Sequence, residues 1–223
     1  MFGFLKKNKE DDSLLIKRKQ SVELVIKKKT NQDILASVVV CLDKSGSMYD
    51  LYKNGTVQET LDRLLPISLQ MDDDGVVPVY QFNNYVSKSD DLTISNIDGY
   101  VYEKLDSPRG GTSYAPCINK MIEDFKSGSR TTPVFVIFIT DGENNDRYET
   151  EKALIKASSY PIYFQFVGIG DEYFEFLQDL DNLKGREFDN AGFISIRELN
   201  KISDDDLYDK LLDEFINIYN DVR

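Results

Sequence analysis

From residue 34 onward, apolar runs alternate with stretches of helical period. The runs at 34–42, 76–82, 133–139 and 161–167 are almost continuously hydrophobic, the pattern of central parallel strands buried on both faces. Weaker strands are predicted at 91–94 and near 192–196. Helical patterns at about 55–71, 114–126, 147–159, 171–182 and 203–221 lie between and after them. The last opens with Ser203-Asp204-Asp205-Asp206, a capping hydroxyl followed by acids in the first turn. Behind it Leu207, Leu211, Leu212, Phe215, Ile218 and Tyr219 recur at helical spacing. Pro66 predicts a kink in the first helix, and Pro78 predicts a bulge or a less central strand. The alternation predicts an α/β fold with a doubly wound, mostly parallel six-stranded sheet flanked by helices. In such folds ligands sit outside the carboxyl ends of the strands, where the strand order switches direction.

Residues 1–33 are set apart as a basic N-terminal tail, with residues 34–223 as the folded domain. Ser21 to Ile26 alternates weakly, which predicts an edge strand with Lys27-Lys28-Lys29 as its solvated end. Met1-Phe2-Gly3-Phe4-Leu5-Lys6-Lys7 is compatible with weak membrane-surface contact or with a partly disordered tail. No run is long enough to cross a bilayer and no signal-peptide core is present, so the cytoplasm is the expected location.

Charge sharpens this division. The net charge is −12; residues 1–33 hold nine Lys/Arg against five Asp/Glu, and the other 190 residues hold 18 against 34. So acidic a body argues against binding along a nucleic-acid backbone and is compatible with cations and basic partners. There is no histidine, which excludes Ser-His-Asp hydrolysis, His general acid–base catalysis and His-ligated metals. Cys41, in the first strand, and Cys117, on a predicted helix, read as packed apolar residues.

Three polar segments sit where the fold would place a ligand. Asp43-Lys44-Ser45-Gly46-Ser47 follows the first strand and offers a carboxylate and two hydroxyls at alternate positions. Arg109-Gly110-Gly111-Thr112-Ser113 precedes the helix that starts near Tyr114. Thr140-Asp141-Gly142-Glu143 follows the strand at 133–139. Each has a plain structural alternative: a turn that caps the next segment, a helix cap supplied by Thr112 or Ser113, and a β-turn. Together they bring Asp43, Ser45, Ser47, Thr112 and Asp141 to neighbouring strand ends. Two carboxylates and three hydroxyls are hard oxygen donors suited to Mg²⁺ or Mn²⁺ and less suited to zinc or copper.

This order of residues resembles the metal-ion-dependent adhesion site of von Willebrand factor A (VWA) domains, whose pattern is D-x-S-x-S, then a Thr, then an Asp followed by Gly. Tyr52 to Gln58, the helix with Arg63 and Pro66, and Asp73-Asp74-Gly75 resemble the VWA domains of bacterial tellurium- and stress-resistance proteins of the TerF-like kind. So do Pro161 to Gly170, and downstream Phe174, Leu177, Leu180-Asp181, Gly185-Arg186 and Asp189-Asn190-Ala191. The likeness spans about 34–222. It implies a Rossmann-like VWA fold, a Mg²⁺ or Mn²⁺ ion at the five residues, and a protein partner whose Asp or Glu completes the coordination. In that family the hydroxyls usually bind the metal directly and the acids often through water. Residues 1–33 are too short for the calcium-binding TerD-type module that accompanies some such domains.

Two other functions stand beside this one. An assembly subunit could keep the fold with an unused metal site. A metal-dependent hydrolase would need an acid where a haloacid-dehalogenase-type enzyme has its second Asp, but that position is Ser45. Gly111-Thr112-Ser113-Tyr114-Ala115 loosely resembles a nucleophile elbow without a histidine base, and there is no G-x-x-x-x-G-K-[ST] loop. The residues therefore favour a binding module that is not an enzyme.

Overall fold

The predicted apolar runs become the core of one sheet. In this computed structural model, which describes residues 9–72, 74–126, 132–142, 144–197 and 199–222, the strands are β1 (Ser37–Asp43), β2 (Val79–Phe82), β3 (Val86–Lys88), β4 (Val134–Thr140), β5 (Ile162–Ile169) and β6 (Ala191–Ile196). Their order is β3-β2-β1-β4-β5-β6. All neighbours are parallel except β2 and β3. After β1 the chain builds outward to β2 and β3, then returns to place β4 on the other side of β1. The switch point therefore lies between the carboxyl ends of β1 and β4.

The helices are α1 (Lys9–Lys29), α2 (Tyr49–Lys53), α3 (Thr56–Met71), α4 (Tyr100–Lys104), α5 (Ala115–Phe125), α6 (Arg147–Ala157), α7 (Glu175–Asp181) and α8 (Asp204–Val222). Alternate residues of each central strand face opposite layers. Val38, Val40 and Leu42 of β1 pack with α1, α3 and α8. Val39 and Cys41 pack with α5, α6 and α7. Burial on both faces is why these strands are continuously apolar. Among the described residues, no helix is long and apolar enough to cross a membrane.

Four expectations change. Residues 21–26 are not an edge strand but part of α1. Val22, Val25 and Ile26 recur one helical turn apart and bury against α3 and α8, so a period of 3.6 overrides the weak alternation. Lys29 is not solvated; it pairs with Asp209 and Asp213 of α8 at 2.8 and 2.6 Å. The run at 91–94 makes only an isolated bridge, Val77 to Leu92, and the strand that edges the sheet beside β2 is β3. The helix expected at 171–182 begins at Glu175, because Phe174 caps it in the left-handed region at φ 50°. Pro78 lies just before β2, which starts at Val79, and α3 runs unbroken through Pro66. The segment Met1 to Lys7 lies outside the described residues.

One polar knot ties the layer of α1, α3 and α8 together. The buried Arg63 of α3 donates from Nε to Asp204 Oδ1 at 2.7 Å, from Nη1 to the Leu199 carbonyl at 2.7 Å, and from Nη2 to the Ile202 carbonyl at 2.9 Å. Arg18 of α1 adds a bond to Asp204 Oδ2 at 3.2 Å. The Ser203 hydroxyl accepts the Asp206 N–H at 3.1 Å, so the predicted cap starts α8. Removing a buried partner strands the charge left behind, which costs more than the pair contributes. Arg63→Met should therefore lower stability by about 3 kcal/mol. Urea unfolding at unchanged m-value is the check, and a loss below about 1 kcal/mol would show that the knot is dispensable.

Candidate metal centre

The site begins with Asp43, the last residue of β1, whose side chain is fully buried. Its Oδ1 accepts the Ser45 N–H at 2.6 Å, turning the chain sharply at the strand end. Its Oδ2 accepts the Thr140 hydroxyl at 2.6 Å, bridging the switch point from β4 to β1. The Ser45 and Ser47 hydroxyls lie 3.0 Å apart. Ser47 Oγ in turn donates to Asp141 Oδ1 at 2.9 Å. Four of the five predicted residues thus converge through side-chain contacts.

Thr112 joins through its backbone. The Gly46 N–H donates to the Gly110 carbonyl at 3.0 Å, and the Arg109 N–H to the Lys44 carbonyl at 2.7 Å. The Asn145 N–H donates to the Thr112 carbonyl at 2.9 Å. These bonds lock the second loop between the loops that follow β1 and β4. Gly110 has φ 84°, and a Cβ there would meet Asn84 Oδ1 at 3.1 Å, so this close approach requires glycine. The Thr112 side chain is buried, and its hydroxyl has no hydrogen-bond partner among the described residues.

The cap of α5 decides between two roles for Thr112. Asp146, not Thr112 or Ser113, supplies it. Asp146 Oδ1 accepts the Tyr114 N–H and Oδ2 accepts the Ala115 N–H, both at 2.9 Å. Asn144 Nδ2 donates to the same carboxylate at 2.7 Å. The Thr112 hydroxyl is left uncommitted. Asp146, Asn144, Thr140 and the Asn83-Asn84 turn that holds the glycines were all outside the predicted set. The signal available for Asp146 was its place just before the helix at 147–159, a capping position that turned out to serve a neighbouring helix.

Electrostatics marks the cluster as lacking positive charge. Burial raises the Asp43 carboxyl to about 6, against the lowering effect of bonds from Thr140 and Ser45, and the nearby Asp141 charge adds to the rise. Burial also raises Asp141, with a further push from Glu172. Among the described residues neither acid has an ion pair. The adjacent Lys44 is committed elsewhere, to Asp106 at 2.6 Å and Ser87 at 3.0 Å. Two converging acids with the Ser45 and Ser47 hydroxyls beside them fit a hard divalent cation, whose charge would offset the burial of both carboxylates. Among the described residues no three His, Cys, Asp or Glu side chains are grouped so that they could hold a metal ion, so the hydroxyls would be essential ligands.

The doubly wound sheet and this strand-end cluster define a von Willebrand factor A domain. More narrowly, the chain belongs to the vWA-TerF-like family, the vWA found in the TerF C terminus, whose model matches residues 35–222. It is 39% identical over 205 residues to the uncharacterized protein YcbR of Bacillus subtilis, covering 89% of this chain and 83% of YcbR. It is 32% identical over 103 residues to the E3 ubiquitin-protein ligase RGLG1 of Arabidopsis thaliana, a match to 40% of this chain and 21% of that protein. The fold resembles manganese-loaded TRAP protein of Plasmodium vivax with TM-score 0.57 at 19% identity, covering 82% of this chain and 74% of that one. It also resembles proximal thread matrix protein 1 of the mussel byssus with zinc in its MIDAS motif, again with TM-score 0.57 at 19% identity, covering 84% and 48%.

The Asp146 cap gives a direct test of how the loops are held. Asp146→Ala frees two N–H groups at the start of α5, at a cost of about 1–2 kcal/mol. Thermal unfolding of the variant should show that loss, and Asp146→Asn should recover part of it. An unchanged melting temperature for Asp146→Ala would contradict the capping role.

Proposed function

We propose that the chain is a divalent-cation-dependent protein-binding module, acting in the cytoplasm in a system of tellurium- or stress-resistance type. Asp43, Ser45, Ser47, Thr112 and Asp141 hold Mg²⁺ or Mn²⁺, and an Asp or Glu of a partner protein completes the shell. The observation that carries this reading is two converging carboxylates, one fully buried, with no cationic partner among the described residues. The uncommitted Thr112 hydroxyl supports it, as does the manganese in TRAP. The zinc in the mussel protein shows that such sites accept more than one divalent ion, while the all-oxygen donor set here favours the harder ions. The cation supplies the positive charge through which an acidic body can take an acidic partner. The chain has no histidine to serve as a base, and both cysteines are buried. These features favour a binding module rather than an enzyme.

A second reading, an assembly subunit that uses no ion, is favoured by one observation. The hydroxyls and acids already satisfy one another through the bonds among Asp43, Thr140, Ser45, Ser47 and Asp141. Thermal unfolding separates the two. A ligand bound only by the folded state stabilises by about 2.7 kcal/mol at a hundred times its Kd, so Mg²⁺ should raise the melting temperature and EDTA reverse the rise. Asp43→Asn should abolish that response without loss of stability in EDTA, since burial outweighs the bonds from Thr140 and Ser45 and disfavours the charged carboxylate there. An identical wild-type melting curve in Mg²⁺ and EDTA would favour the second reading.

Partner capture from a native lysate tests the bridging role separately. Capture in Mg²⁺ should disappear in EDTA and with Asp43→Ala. Capture that survives both would contradict a metal-bridged contact.

A further inference from the structure

Beside the oxygen cluster lies a cavity of about 530 Å³, with an apolar wall of Tyr49, Tyr52, Tyr102, Val101, Leu105 and Pro108 and a polar one that includes Lys53 and Asp106. Its wall is tied to the cluster, because the Tyr52 hydroxyl donates to the Asp43 carbonyl at 3.0 Å. Tyr49 is two residues beyond Ser47, so their Cα atoms are within about 7.6 Å. Tyr49 is 54% exposed and Tyr102 is 94% exposed. No residue of α2 is fully buried.

Among the described residues, the exposed aromatics gather at this end. Tyr85 follows β2, Tyr148 opens α6 after β4, and Tyr173 follows β5; all three are exposed. The parallel strands place those loops on the same side as the cluster. Exposed tyrosines combine apolar area with a hydrogen-bonding tip and are enriched where proteins meet other proteins.

Charge indicates what the surface takes. Lys53 lines the cavity. Arg109 follows Pro108 and lines an adjoining cavity of about 440 Å³ with Asn84 and Tyr85. Both cations are exposed, and neither makes an ion pair with a described carboxylate. Nearby Lys44 and Lys104 are paired, with Asp106 and Asp90. Asp106 lines both cavities but is neutralised by Lys44. The Lys53 ammonium lies 5.9 Å from the Tyr49 ring centre, and the Arg109 charge also acts on Asp106. On a body this acidic, the two cations are complementary to an acidic segment.

We propose that the tyrosine-walled cavity is the second half of a peptide-docking surface. It takes an apolar side chain of an extended acidic segment from another protein. A neighbouring carboxylate of that segment reaches the oxygen cluster, and a further acid meets Lys53 or Arg109. Extended chain rises about 3.3 Å per residue, so one to three residues separate the carboxylate from the apolar side chain. This inference rests on the cation-binding function proposed above.

The test uses the full chain in Mg²⁺ against an array of short peptides with one fixed Glu and every residue type at each flanking position. Retained peptides should carry an apolar or aromatic residue within about three positions of the Glu, together with a second acid. Tyr49→Ala combined with Tyr102→Ala should weaken binding about tenfold or more and erase the apolar preference. It should leave the need for Glu and Mg²⁺ in place. Lys53→Glu with Arg109→Glu should erase the preference for the second acid. All these side chains are exposed, and circular dichroism checks that the variants fold.

Binding that needs Mg²⁺ and Glu, but shows no apolar preference or is unchanged in the double tyrosine variant, would overturn the cavity and leave the cation reading intact. Binding indifferent to EDTA and to Asp43→Asn would sink the cation reading and this inference with it. An array that retains nothing would overturn the acidic-segment ligand. A wild-type dimer that dissociates on Tyr102→Ala would assign the surface to a second copy of the chain instead.

Discussion

The bond from the Thr140 hydroxyl to Asp43 is the contact on which the site depends. It crosses the switch point and joins the carboxyl ends of β1 and β4, the two strands between which the chain reverses its winding. Asp43 is fully buried, so it persists there only because its oxygens are claimed by the Ser45 N–H and the Thr140 hydroxyl. Those two bonds fix where Ser45, Ser47 and Asp141 emerge. The backbone ties from Gly46 to Gly110 and from Asn145 to Thr112 then bring in the second loop. The cluster is thus assembled by the same hydrogen bonds that close the top of the sheet, and its geometry is inherited from the fold.

Beneath that layer the packing is aromatic. Phe82, Tyr114, Phe138 and Phe166 meet with ring centroids between 4.4 and 6.5 Å apart. Tyr114 also reaches up, donating to the Thr140 hydroxyl at 3.2 Å and to the Gly142 carbonyl. A stiff apolar floor with a polar tip in contact with Thr140 transmits the packing of α5 directly to the site. The positions of the oxygens are therefore set before any ligand arrives, which lowers the cost of binding one.

The central strands were legible because burial on both faces leaves a short, unbroken, β-branched- and aromatic-rich apolar run bounded by turn residues. That Asp43, Ser45, Ser47 and Asp141 would come together was legible because each lies at or just past a strand end. What was not legible depends on distant partners. The apolar stripe of α1 is short, Val22, Val25 and Ile26 within a charged segment, and it makes sense only against α8 near the other end of the chain. β3 is three residues long and gains its identity from pairing with β2. Asp146 and the Asn83-Asn84 turn are ordinary polar loop residues in one dimension. Their roles, capping α5 and gripping the paired glycines, arise only when three loops meet.

The central claim is that these strand-end oxygens hold one divalent cation. Electron paramagnetic resonance of Mn²⁺ titrated into the protein tests it most directly, because the signal of free Mn²⁺ is lost on binding. One ion should bind per chain, be displaced by Mg²⁺, and be absent in Asp43→Asn. A full free-ion signal in the wild type, or binding that survives Asp43→Asn undiminished, would contradict it.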